Sequence, residues 1–281
     1  HVKERIHTAL ALRDACLAPI PSWGYGLLSP IDYITSKWLR RSASRYREEL
    51  EYIVSYLGFP GAMTMNLSYL FACTTAADLD HFNRPRIRRS LDWPFHGLGK
   101  CVEVAWQAGP AGSYYNVTWP GSVGVLNALA PGRFAAVINA APMQRRTESS
   151  VGIPYDIVLN IRQALTSNDD WPPDHLLRFA FDYCSNFEEA SEVLSKEPLA
   201  RPAIFTITGI KSDEIAIVER TERNGRVIRG PISVANDWHK PERGWKARMG
   251  HANNVARRMK MHSMQDDTTP FCWMKPPVLN K

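Results

Sequence analysis

Asn66-Leu67-Ser68-Tyr69-Leu70-Phe71-Ala72-Cys73-Thr74-Thr75 is the stretch on which the reading of this chain turns. An apolar run from Met65 to Leu70 ends there on small and hydroxylated residues around a cysteine, and the hydrophobic pattern differs on its two sides. Upstream, Trp38, Leu39, Tyr46, Leu50, Ile53 and Val54 recur at helical spacing from Ser36 to Leu57, and Gly58, Pro60 and Gly61 stop that helix. Downstream, Val102 to Trp106, Tyr114 to Trp119, Val123 to Leu126 and Phe134 to Asn139 read as strands, punctuated by Gly109-Pro110, Pro120-Gly121 and Pro131-Gly132. Between the two lies Arg89-Ser90-Leu91-Asp92-Trp93, with Arg89 following Cys73 by 16 residues and Asp92 by 19.

Further along, residues 155–166 and 174–196 return to helix. Ala203 to Ile210 and Glu214 to Arg220 form a hairpin across Lys211-Ser212-Asp213, and Val227 to Val234 make another strand. Strands, then helices, then strands predict an α+β layered domain rather than alternating βαβ units. No internal repeat or low-complexity segment interrupts it.

Composition narrows the function. The 281 residues are 44% apolar and 22% charged, which is ordinary for a globular domain with a sizeable core. The formal charge of +6 is spread along the chain, without a nucleic-acid-binding signature beside it. No run of about 18 apolar residues is present, and residues 1–30 lack the order of a secretory signal. That reading favours the cytoplasm; secretion, the periplasm or a lysosome stay open for a chain that begins at His1. On a secretory route, Asn66-Leu67-Ser68 and Asn116-Val117-Thr118 are glycosylation sequons. Five cysteines, at 16, 73, 101, 184 and 272, form no CxxC pair and are too scattered for a disulfide scaffold. HExxH, GxxxxGK[ST] and GxSxG are absent, Gly97-Leu98-Gly99-Lys100 reads as a loop, and His81, His96, His175, His239 and His251 show no metal-ligand spacing.

With its Cys73, Arg89 and Asp92 in register, the sequence resembles acid ceramidase and N-acylethanolamine acid amidase, members of the choloylglycine hydrolases. Further matches run through Gly124 to Phe134, Asn186 to Ala190, Ile207 to Asp213 and Val234 to Asp237, so the resemblance spans roughly residues 63 to 250. It implies a four-layer αββα sandwich of the N-terminal-nucleophile hydrolase type, with a helical N-terminal segment. It also implies self-cleavage before Cys73, giving residues 1–72 as one subunit and 73–281 as the other. No cofactor or metal is implied. The partner is a small-molecule N-acyl amide, with transient contact to a membrane surface, no nucleic acid, and an open oligomeric state. Lys275 to Lys281 resembles the family's segment before a final strand that the chain does not reach, which predicts an unpaired sheet edge.

The implied chemistry accounts for the residue types. A cysteine at a chain start carries a thiol and an α-amine together, and an amine with a pKa of roughly 7.7–8.0 is a suitable general base near neutrality. By resemblance Asp92 holds that amine and Arg89 lies beside the thiol, where a fixed cation favours thiolate. Asn236, and with it Asn139, would donate to the oxyanion, and Arg248 matches a late arginine of the site. Residues 89 and 92 have opposite parity, so the strand is expected to end, twist or bulge between them, and Trp93-Pro94 supplies an ending. An apolar acyl channel is expected between the 1–72 segment and the strands, near Tyr69, Leu70, Trp93 and Phe95.

Plainer readings stand beside these. Free cysteines are mostly buried, and by itself Cys73 would be a core residue. Arg84, Arg86 and Arg88 read as a solvated basic face, Asn139 as a strand-end turn, Arg248 as a surface arginine, and Asn236-Asp237 as a turn signal. The function the resemblance implies is hydrolysis of a linear amide of an N-acylated apolar small molecule, of N-acylethanolamine, ceramide, bile-salt or acyl-amide type, through a Cys73 thioester. Acyl transfer through the same thioester, and a non-catalytic binding protein that keeps the fold, are the alternative functions.

Overall fold

The computed structural model describes residues 3–18, 21–67, 72–92, 97–248, 253–265, 267, 269 and 271–278. Helices α1 (Ile6–Leu17), α2 (Leu28–Leu39), α3 (Arg47–Leu57) and α4 (Ala62–Asn66) precede β1 (Ala72–Leu79). Then follow β2 (Pro85–Asp92), β3 (Glu103–Gly109), β4 (Gly112–Thr118), β5 (Asn127–Ala130), β6 (Phe134–Ala140) and β7 (Met143–Gln144). Helices α5 (Ile153–Thr166), α6 (Pro173–Tyr183) and α7 (Phe187–Lys196) lead to β8 (Ala203–Thr208), β9 (Ile215–Arg220), β10 (Gly225–Arg229), β11 (Ile232–Val234), β12 (Trp245–Lys246) and α8 (Asn254–His262).

Two antiparallel sheets form the middle of the domain, one ordered β11-β1-β2 and the other β10-β9-β8-β6-β5-β4-β3. They face each other where β1 and β2 meet β6, β8 and β9. Ala141, Ile204, Ile217, Val234 and Trp238 cluster in that interior. On the far side of the larger sheet lie α6 and α7, where Phe134, Phe181, Phe187 and Phe205 are fully buried. On the far side of the smaller sheet α8 packs Met261 against Ala76. Helix, sheet, sheet and helices make the four layers of an αββα sandwich.

Several element boundaries differ from the sequence reading, each for a local reason. The helix read across Ser36 to Leu57 is two helices, because serines between them bond their own backbone: Ser42 Oγ accepts from Ser44 N and Ser44 Oγ from Tyr46 N. Gly58, at φ 65°, ends α3 as expected. The helix read over 174–196 breaks at Asn186, whose side chain accepts from Glu189 N while the Glu189 carboxylate accepts from Ser185 N, capping α7 afresh. Val123 to Leu126 is not a strand, since Val125 N donates to Asp174 O at the start of α6 and the next strand begins at Asn127. Val227 to Val234 divides at Gly230, at φ 100°, so β10 extends the larger sheet while β11 crosses to the smaller one.

The helices before β1 are tied to the sandwich by a buried polar cluster on α6. Asp182 accepts from Tyr46 Oη at 2.7 Å and from Tyr114 Oη at 2.8 Å. Arg178 pairs with Glu49 at 2.8 Å and lies 4.1 Å over the Tyr46 ring. His175 Nδ1 bonds Ser44 Oγ at 2.7 Å. Burial, then the hydrogen bond to Asp182, raises the Tyr46 pKa, so its hydroxyl stays a donor.

Candidate active site

Cys73 is the second residue of β1 and only 1% exposed. Across the ladder it faces Leu91, and Thr75 faces Arg89. Opposed residues in an antiparallel pair share a face, as do residues two apart, so Cys73, Thr75, Arg89 and Leu91 all point toward the larger sheet. Arg89 Nη2 donates to Cys73 Sγ at 3.1 Å. The guanidinium is held from the other side by Leu126 O at 3.1 Å, Asn127 Oδ1 and Ile138 O. Five fixed donors in a planar fork suit this arrangement, which a lysine would not reproduce.

Asp92 is the last residue of β2 and pairs with Ala72. The ladder runs unbroken from Pro85 to Asp92, where the strand ends just before Trp93-Pro94, so no bulge falls between 89 and 92. None is needed. Arg89 shares the face of the Cys73 thiol, whereas Asp92 lies beside the residue before Cys73, on the side of its backbone nitrogen. Opposite parity therefore turns Arg89 toward the larger sheet and Asp92 to the other face, that of α8, where it acts on Arg257. Residues 93–96 and 68–71, including Tyr69, Leu70, Trp93 and Phe95, lie outside the described residues.

Asn236 follows β11 and is fully buried. Its Oδ1 accepts from Cys73 N at 2.8 Å and its Nδ2 donates to Ala140 O at 2.8 Å. Asn139 is a fully buried residue of β6 rather than a turn residue. Its Oδ1 accepts from Thr75 Oγ1 at 2.9 Å, and its Nδ2 donates to Ala235 O at 3.0 Å. Arg248 stands further out, partly buried, with Nε on Ala141 O at 2.9 Å. Burial, with Arg201 nearby, lowers its pKa to about 10.

One residue of the cluster escaped the sequence reading. Arg257, 1% exposed on α8, donates to Cys73 O at 2.9 Å, Thr74 Oγ1 at 3.1 Å, Asn236 Oδ1 at 3.1 Å and Asn254 Oδ1. Burial lowers its pKa, while Cys73, Asp92 and Asp237 pull it back up. Its signal was a positional one. Asn254, Arg257 and Met261 are the buried residues of an otherwise polar helix, at i, i+3 and i+7, so an arginine occupies the core stripe. The basic run also departs from expectation. Arg88 is 5% exposed and Arg86 is half-buried, both paired with buried Asp78 and both donating to carbonyls after α8, so only Arg84 keeps a solvated place.

A groove of about 1140 Å³ runs from Arg89, Leu91 and Asp92 over Tyr115, Leu129 and Val137. It exists because the larger sheet is wider than the smaller, leaving the inner face of β3, β4 and β5 uncovered. Trp106 on that face is 66% exposed and Tyr115 46%. This apolar groove opens between β2 and β3–β5; the channel expected near Tyr69, Leu70, Trp93 and Phe95 falls outside the described residues. Among the described residues, no group of three or more His, Cys, Asp or Glu gathers to hold a metal, and no helix is long and apolar enough to cross a membrane.

No protein-family model matches the chain, and no curated protein matches it in sequence. Among solved structures, a Caenorhabditis elegans N-acylethanolamine-hydrolyzing acid amidase ortholog matches with a TM-score of 0.53. The match covers 74% of this chain and 88% of that one, at 15% identity. The αββα arrangement expected of N-terminal-nucleophile hydrolases is therefore the fold of this chain.

Proposed function

We propose that this chain is a cysteine amidohydrolase that cuts itself before Cys73 and then cleaves an amide of an N-acylated, apolar small molecule. The observation that carries the reading is the environment of Cys73, with Arg89 Nη2 on its sulfur at 3.1 Å and Asn236 Oδ1 on its nitrogen at 2.8 Å. A buried core cysteine requires neither partner.

In self-cleavage the Cys73 thiol adds to the Ala72 carbonyl carbon, the Ala72–Cys73 C–N bond breaks, and the proton passes to the released amine. Water then hydrolyses the thioester, leaving residues 1–72 and 73–281. The new α-amine is the general base, held by Asp92 from its place opposite Ala72. In turnover the thiol loses its proton to that amine and attacks the substrate carbonyl. The leaving amine takes the proton, and water releases the acid.

Arg89 stabilises the negative sulfur, and Arg257 fixes the Cys73 carbonyl and Asn236 together. The Asn236 and Asn139 amides are the donors assigned to the oxyanion; each NH2 is oriented by a bond to a backbone carbonyl, Ala140 O for Asn236 and Ala235 O for Asn139. The groove beside Arg89 receives the acyl chain. The name of the structural neighbour, an enzyme hydrolysing N-acylethanolamines, agrees with that substrate class.

Intact-mass spectrometry of the purified protein, followed by a panel of acyl amides, tests the reading. A chain beginning at Cys73 is expected, and Cys73→Ala should stay a single inactive chain. An active protein with its N terminus elsewhere removes the general base and overturns the mechanism.

A further inference from the structure

The stripe of α1 formed by Arg5, Ala9, Leu12 and Cys16 follows i, i+4, i+7 and i+11, and so lies on one helix face, with Arg5 just before the first turn. That face is seated on the segment from Leu98 to Glu103. Arg5 Nε donates to Glu103 Oε2 at 3.3 Å, Ala9 is 2% exposed, and Leu12 packs against the core cluster that contains Cys101. Helix α1 packs directly on Leu98–Cys101. Val102 between them is extended, at φ −67° and ψ 137°, and itself exposed, so Cys101 and Glu103 share the opposite side, the side of α1. Both thiols are free, and burial, then the neighbouring Cys101, pushes the Cys16 thiol up to about 11.

We propose that Cys16 and Cys101 are a redox pair that closes into a disulfide, joining the N-terminal helices to the strand segment across the Ala72–Cys73 junction. The oxidant is a low-molecular-weight disulfide. One thiolate attacks it and releases a first thiol, and the second cysteine then attacks the mixed disulfide and releases another. Two protein thiols become one S–S bond as one small disulfide becomes two thiols. The bond itself does not depend on the proposed cleavage. Where the chain is cut, the bond makes the two fragments one covalent molecule under oxidising conditions and two under reducing ones.

The test uses the full chain carrying Cys73→Ala, equilibrated with oxidised glutathione, blocked with an alkylating reagent and digested for peptide mapping. A single linked peptide pair holding Cys16 and Cys101 is expected, lost on reduction and absent from C16S and from C101S. The wild-type chain, run without reductant, should migrate as one species that reductant converts to two if the chain is cut. The peptide map reads the bond whether or not the chain is cut. Cys16 and Cys101 recovered free, carrying only glutathione, or paired with Cys184 or Cys272 would each overturn the proposal.

Discussion

Tyr46→Phe removes one oxygen atom from the contact between the N-terminal helices and α6. The hydroxyl donates to Asp182 Oδ2 at 2.7 Å. The remaining ring keeps its neighbours, with Arg178 4.1 Å above it and His175 edge-on at 5.7 Å. The lost term is therefore one buried hydrogen bond to a carboxylate, about 1.5–3 kcal/mol. Arg178 Nε, 3.6 Å from the same oxygen, compensates in part and places the expectation in the lower half of that range. At about 2–4 °C per kcal/mol, Tm should fall by roughly 3–9 °C. The measurement is urea unfolding of the Cys73→Ala chain, which stays in one piece, with Tyr114→Phe and the double variant completing a cycle. Because both hydroxyls bind Asp182, the two losses should couple by about 0.5 kcal/mol or more. A Tyr46→Phe cost below about 0.5 kcal/mol, or additive losses, would refute the idea that Asp182 organises this contact.

Arg257→Lys should lower kcat/KM by about 10–100-fold, since one ammonium cannot serve the Cys73 carbonyl and Asn236 with the planar fork, and a lost charged hydrogen bond is worth about 1.5–3 kcal/mol. Steady-state kinetics read this, and unchanged kinetics with normal self-cleavage would remove Arg257 from the site. His175 is fully buried and its pKa is lowered, chiefly by burial, then by Arg178 and Arg201 against Asp174 and Glu49. Neutral when folded and protonated when unfolded, it should lower stability as pH falls below about 6.5, by up to about 1.4 kcal/mol per pH unit until its folded pKa is passed. Denaturation of His175→Gln across that range should show a shallower slope, and equal slopes would count against it. Rates on saturated N-acyl amides should rise with chain length, by up to about 0.8 kcal/mol per buried methylene, until the groove is filled. Flat or falling rates from acetyl to lauroyl amides would assign the groove to something other than an acyl chain.

What the sequence determined by itself was local. Cys73, Arg89 and Asp92 belong to one hairpin, β1 with β2, and the ladder that pairs Thr75 with Arg89 and Ala72 with Asp92 turns spacing along the chain into proximity. The α+β class followed similarly from periodicity, since strand and helix repeats are properties of short windows. The break at Ser42-Ala43-Ser44 was misread because a helical period across it hid serines that bond their own backbone.

Tertiary structure decided everything that depends on what lies across a sheet. Asn236 reaches Cys73 N only because Gly230 lets the chain leave the larger sheet and pair β11 with β1. Arg257 enters the site only because α8 lies on the outer face of that same pair, where a buried guanidinium finds backbone and side-chain acceptors. The groove belongs to no segment at all. It comes from the unequal widths of the two sheets, and strand order across a sheet is set by long-range pairing that no local pattern encodes.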